Sequence, residues 1–102
     1  MVSIIIYTTE KTLNHKKGLK EGEEDITQFY WHLKRCPSKI EDEDRIYFAT
    51  KGLIRGSFFI SDIDDSDECD IEFSCESWED LDKPIPTKSF QGFKYADKVE
   101  GL

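Results

Sequence analysis

A chain of 102 residues with 13% aromatics can build one hydrophobic core but not two, so a single domain is expected. No apolar run approaches the length of a membrane-spanning helix, and VSIIIY at the start is too short for the apolar region of a secretory signal, which excludes a membrane partner and predicts a reducing, cytoplasmic home. The formal net charge of −8 is unevenly spread: residues 62 to 82 hold eleven acidic side chains and no Lys or Arg, leaving fourteen basic against eleven acidic elsewhere.

In chain order, Val2 to Tyr7 is a short β-branched run, read as a strand buried on both faces. Thr9 to Glu24 is polar and lysine-rich, with Gly18 and Gly22 as breakers, and reads as a long loop carrying the basic cluster His15, Lys16, Lys17 and Lys20. Asp25 to Cys36 then reads as the main helix. Asp25 suits the N-cap with Gln28 three residues on, Ile26, Phe29, Tyr30 and Leu33 form an i, i+3, i+4, i+7 stripe, and Lys34 and Arg35 occupy the last turn before Pro37. Trp31 falls opposite that stripe, either covered by the Thr9–Glu24 segment or exposed for a partner.

Asp44 to Ile63 is the centre of the chain. RIYFATK and LIRGSFFI read as a β-hairpin turned at Lys51-Gly52, where glycine takes a positive φ without cost. Ile54, Phe58 and Ile60 are expected on one face and Leu53, Arg55, Ser57 and Phe59 on the other, with Gly56 marking a bulge or a close backbone approach. SDIDDSDECD follows as a loop; it lacks the glycine and the bidentate glutamate of a calcium loop, so no metal is expected. Ile71, Phe73 and Cys75 alternate with polar residues as a third strand. Trp78 to Pro86 reads as irregular because of its prolines, TKSFQGFKY as a kinked last strand, and residues 97 to 102 as a frayed tail. Cys36, Cys69 and Cys75 are odd in number and unpatterned in spacing, so neither a disulfide framework nor a structural zinc site is expected.

The segments DRIYFATKGLIRGSFFI and PIPTKSFQGFKY, about a third of the chain, together with the order of elements, resemble the PUA-like superfamily that includes ASCH and EVE domains. Gly18, Lys20 and Glu23 are similar to three positions of the ASCH signature, with Asp25 standing where that signature has an arginine. The resemblance implies an α+β fold, a small, mostly antiparallel barrel with one main helix packed on it, and a pocket between helix and barrel able to hold a base.

Three functions are weighed. A module for single-stranded nucleic acid or a nucleoside would use Trp31, Phe93 and Tyr95 to stack bases and Lys51, Arg55, Lys88 and Lys94 to meet phosphate. A protein-interaction module would dock Asp62, Asp64, Asp65, Asp67, Glu68 and Asp70 on a basic partner, imitating phosphate charge. A small nucleoside amidohydrolase, the least supported of the three, would draw on Lys20 or Lys51, Thr50 and Glu23. No cofactor is expected for any of them.

Overall fold

The computed structural model describes residues 3–16, 28–38, 40, 44–96 and 99, with the side chains of 15 and 16 outside the description. The elements are β1 (Ile4–Tyr7), α1 (Glu10–Lys16), β2 (Gln28–Leu33), β3 (Arg45–Thr50), β4 (Leu53–Asp64), β5 (Cys69–Ser74), a 3-10 turn (Cys75–Ser77), β6 (Glu79–Pro86) and β7 (Phe93–Tyr95). They form one seven-stranded sheet in the order β2-β5-β4-β3-β1-β7, with β6 paired to β4. All pairings are antiparallel except that of β1 with β3.

The central hairpin forms as its sequence demands. Lys51 and Gly52 both take positive φ, 50° and 82°, the twist that matches a two-residue hairpin turn. A register shift pairs Phe48 with Gly56 and Ala49 with Ile54, leaving Arg55 as the extra residue of a bulge. That bulge corrects the expected facing. Ile54 joins a small cluster with Ile5, Ala49 and Ala96 on one side of the sheet, while Phe58 and Ile60 enter the main core with Ile4, Ile6, Ile46 and Phe48 on the other. At Gly56 the chain does approach closely: an added Cβ would run into the Glu79 carbonyl oxygen and the Trp78 ring.

β4 is twelve residues long and does two jobs. Its first half pairs with β6 and its second half with β5, so β5, the 3-10 turn and β6 run back along it as one interrupted strand. Ser74 caps the interruption, its Oγ accepting from the Glu76 N–H. Pro84 and Pro86 are tolerated because β6 pairs only with β4 among the described residues, an edge position where a missing N–H is harmless. The segment expected to be irregular is therefore a strand.

Two further corrections concern the helix and the barrel. Residues 28 to 33 are strand β2, not a helix, and residues 25 to 27 lie outside the described residues. Phe29 and Leu33 are four apart, a spacing that satisfies both a helix stripe and one face of a strand. Trp31 decides between them. In a helix it is stranded on the wrong side, whereas in a strand it joins Phe29 and Leu33 against the core, and Tyr30 turns out to solvent at 55% exposure. The helix lies instead at Glu10–Lys16, inside the stretch expected to be a loop, where Thr9 Oγ1 accepts from the Thr12 N–H as an N-cap. The sheet, finally, is open rather than a closed barrel: β2 and β7 are its two ends and do not pair with each other. The expected α+β barrel with one main helix gives way to an open, mixed β-sheet carrying a two-turn helix.

Cys36 and Cys69 are joined by a disulfide, against the expectation of none, while Cys75 is free. Parity and spacing along the chain say nothing about which residues a ladder brings side by side, and here Leu33 is the register partner of Cys69. Gly56→Ala is expected to lower stability by about 1–3 kcal/mol in urea denaturation, through overpacking against Trp78 and the β6 backbone. A change within about 0.5 kcal/mol, usual for an open surface position, would contradict that close approach.

Candidate functional site: the cleft between the ends of the sheet

The open sheet curls until β2 faces β3, with the Trp31 ring edge-on to Phe48 at 5.3 Å between centroids. Because the curl stops short of closure, a cleft of about 630 Å³ remains between β2 and β7. Trp31 and Phe93 line it from the two sides, and Tyr7 of β1 also faces it. Tyr7 is fixed from behind: its Oη accepts the Gly52 N–H at 2.6 Å and its ring meets Phe90 edge-on. Phe93 is held by an edge contact with Tyr95, whose ring packs on the core.

The polar side of the cleft comes from the end of β2 and the bend after it: His32, Lys34 and Arg35, with Gln91 on the opposite rim. Among the described residues none that lines the cleft is a carboxylate, in a chain with a formal net charge of −8. Lys34 and Arg35 are exposed. The bend that carries them is tied down at both ends, by the Cys36–Cys69 disulfide to β5 and by a 3.3 Å hydrogen bond between Ser38 Oγ and Tyr95 Oη to β7. Aromatic surface beside two exposed cations suits a planar ring attached to a phosphate.

His32 sits at the cleft edge between two acids, Nδ1 at 2.7 Å from Asp70 Oδ1 and Nε2 at 2.9 Å from Glu68 Oε1. These hydrogen bonds, Asp70's first, hold the imidazole pKa above its ordinary value of 6.5.

Of the residues expected to bind a ligand, the structure brings Trp31 and Phe93 together and disperses the rest. Tyr95 stands behind Phe93 rather than in the cleft. Lys51 is at the hairpin turn, ion-paired with Glu10 at 2.8 Å. Arg55 donates from Nε to Thr50 Oγ1 and lines a different cavity, of about 310 Å³, beneath α1. Lys88 is exposed, and Lys94 lies over the Phe90 ring, 4.6 Å from its centre. The implied pocket between the 25–36 helix and a barrel has no counterpart, since residues 28–33 are a strand and the sheet is open; the cavity beneath α1 has Trp78 as its aromatic, with Glu10 and Asp80 beside Arg55, which suits a phosphate less well. Lys34, Arg35 and Gln91 were missed. The signal was the basic pair three residues beyond Trp31, absorbed into the supposed last helical turn.

The acidic residues Asp62, Asp64, Asp65, Asp67, Glu68 and Asp70 gather where β4 meets β5, with strand pairing extending to Asp64 rather than stopping before it. Asp64 is engaged by Ser66, whose hydroxyl and N–H both donate to Oδ1 and lower its pKa. Gly18, Lys20, Glu23 and Asp25, the positions of the ASCH-like signature, fall outside the described residues, as do Lys17 and the side chains of His15 and Lys16. Thr50, offered as part of a hydrolytic set, is 1% exposed, accepts from Arg55 Nε and lines the cavity beneath α1. Among the described residues, no helix is long and apolar enough to cross a membrane.

With its folded pKa raised, His32 contributes stability that is complete below its unfolded pKa and is lost as pH rises through the folded value. Stability should therefore decline from about pH 6.5 upward, and His32→Gln should flatten that decline. The check is an NMR titration of the imidazole: a midpoint at or below 6.5 would show that the two carboxylates do not hold the proton.

Comparison of the chain with protein-family models, with curated proteins and with solved structures gives no match in any of the three, so the residues of the cleft are the ground on which its function is argued.

Proposed function

We propose that the chain binds a nucleoside or a short single-stranded stretch of nucleic acid in the cleft between β2 and β7. The observation that carries this reading is the meeting of Trp31 and Phe93 with Lys34 and Arg35 in one cleft. A base stacked on an aromatic ring gains about 1–3 kcal/mol whatever its sequence, and adjacent cations hold the phosphate by charge. Sequence preference is expected to be weak, since ring stacking and charge read no base edges. The acidic end of the β4–β5 hairpin limits the contact to a short strand, because a longer phosphate backbone would meet like charge. A cytoplasmic home belongs to this reading, and there the Cys36–Cys69 bond is of the redox-responsive kind rather than a permanent staple.

A second reading rests on that acidic end itself, where Asp62, Asp65 and Asp67 are exposed together and could dock on a basic protein. Neutralising these three to Asn separates the two. If they only repel phosphate, RNA binding tightens at low salt and the gain disappears at high salt. If they form the working surface, binding to a basic protein is lost and RNA is bound by neither form.

The direct test is titration of a labelled single-stranded RNA. Phe93→Ala should weaken binding by about 1–3 kcal/mol. Lys34→Ala with Arg35→Ala should leave the fold intact, both side chains being exposed, and shrink the logarithmic salt slope by about 1 for each cation removed. Wild-type protein that binds neither RNA nor a nucleoside monophosphate at low salt would refute the reading.

A further inference from the structure

We propose that the Cys36–Cys69 disulfide is a redox control on the cleft, holding Lys34 and Arg35 at its mouth when oxidised and releasing them when reduced. The proposal rests on the cleft being the ligand site. Residues 34 to 38 form a strap spanning the gap that the open sheet leaves. At one end Leu33 pairs with Cys69 in the β2–β5 ladder, and three residues later Cys36 is bonded to the same Cys69. Lys34 and Arg35 thus lie in a short loop fastened to one residue of β5 at both ends, by strand pairing at Leu33 and by the disulfide at Cys36. At the other end Pro37 is buried and Ser38 reaches Tyr95 of β7. Once the disulfide is opened, the strap keeps the exposed Ser38–Tyr95 contact, a 3.3 Å hydrogen bond from the Ile40 N–H to the Pro37 carbonyl, and the apolar packing of Cys36, Pro37 and Ile40, all on the C-terminal side of Lys34 and Arg35. None of these fixes Lys34 and Arg35. The aromatic walls are independent of the bond, since Trp31 lies within the β2–β5 ladder and Phe93 within the β1–β7 pairing. Reduction therefore removes the charge component of the site and leaves the stacking component.

The two sulfurs differ in access. Cys69 is 1% exposed, while Cys36 is half-buried, so an incoming thiolate reaches Cys36. The reductant is a dithiol. Its first sulfur bonds to the Cys36 sulfur, the Cys36–Cys69 bond breaks, and Cys69 leaves as a thiolate that takes up a proton. The second sulfur of the reductant then displaces Cys36, which is protonated in turn. Two electrons and two protons enter the protein, and the dithiol departs as its own disulfide. Cys75, in the 3-10 turn after β5, takes no part.

The experiment compares four preparations of the full chain: oxidised, reduced with dithiothreitol, Cys36→Ser with Cys69→Ser, and Cys75→Ser as the control. Each is measured twice, by anisotropy of a fluorescein-labelled single-stranded RNA and by the rate of trypsin cleavage after Lys34 and Arg35. Reduction should weaken RNA binding about tenfold near 0.15 M salt, the effect of losing two single-strand phosphate contacts. It should also speed cleavage at Lys34 and Arg35, and reoxidation should reverse both changes. The double variant should match the reduced protein and the Cys75→Ser protein the oxidised one. Equal RNA affinity in the oxidised and reduced forms overturns the control while leaving the cleft reading in place. Unchanged cleavage overturns the strap as its mechanism. RNA bound by neither form overturns the cleft reading and the control built on it.

Discussion

Phe48 is where the structure is held together. From β3 its ring meets Trp31 of β2, Phe58 of β4 and Phe73 of β5, at 5.3, 5.6 and 6.0 Å between centroids and all edge-on. Phe58 and Phe73 stack on each other at 4.4 Å, and Trp78 closes on Phe58 from the turn before β6. Edge-on and stacked rings gain a little beyond the area they bury, and here the geometry matters more than the energy. Strands β2 and β3 are three places apart in the sheet, so a contact between their rings requires the sheet to curl. The long strand β4, bulged at Arg55 and served by two partners on one edge, supplies the bend.

The cleft is a consequence of that curl. A sheet drawn around one aromatic cluster brings its two ends near each other, and here they stop apart, with Trp31 on one side and Phe93 on the other. The same Trp31 therefore packs its edge on the core and lines the cleft, which couples the site to the fold. The strap from Lys34 to Ser38 crosses the remaining gap, and the disulfide decides where its charges lie. Stacking surface and charge thus have separate origins, one in the core and the other in a cross-link.

The strands β1, β3, β4 and β5 and the Lys51-Gly52 turn were legible because β-branched runs, alternation and a positioned glycine all point the same way. β2 was not, since Phe29 and Leu33 fit two periods and the capping pattern around Asp25 favoured the wrong one. Trp31, the residue that did not fit the helix, was the evidence against it. The real helix was hidden because, of its described side chains, Leu13 alone reaches the core, which gives no periodicity to read. Half of the site could be read. Large aromatics near the chain's middle and end stood out, whereas a lysine or arginine in a string of letters has no direction. Lys51 and Arg55 were spent locally on Glu10 and Thr50, and Lys34 and Arg35 gained their place from a disulfide that spacing could not foretell.

The two tryptophans of the chain lie in different cavities, Trp31 in the cleft and Trp78 beneath α1, which allows one measurement to decide where a base binds. In an NMR titration with a nucleoside monophosphate, followed on the two indole N–H signals, Trp31 should shift progressively with ligand while Trp78 stays in place. A shift of Trp78 with Trp31 unmoved would put the ligand under the helix and contradict the account of the cleft.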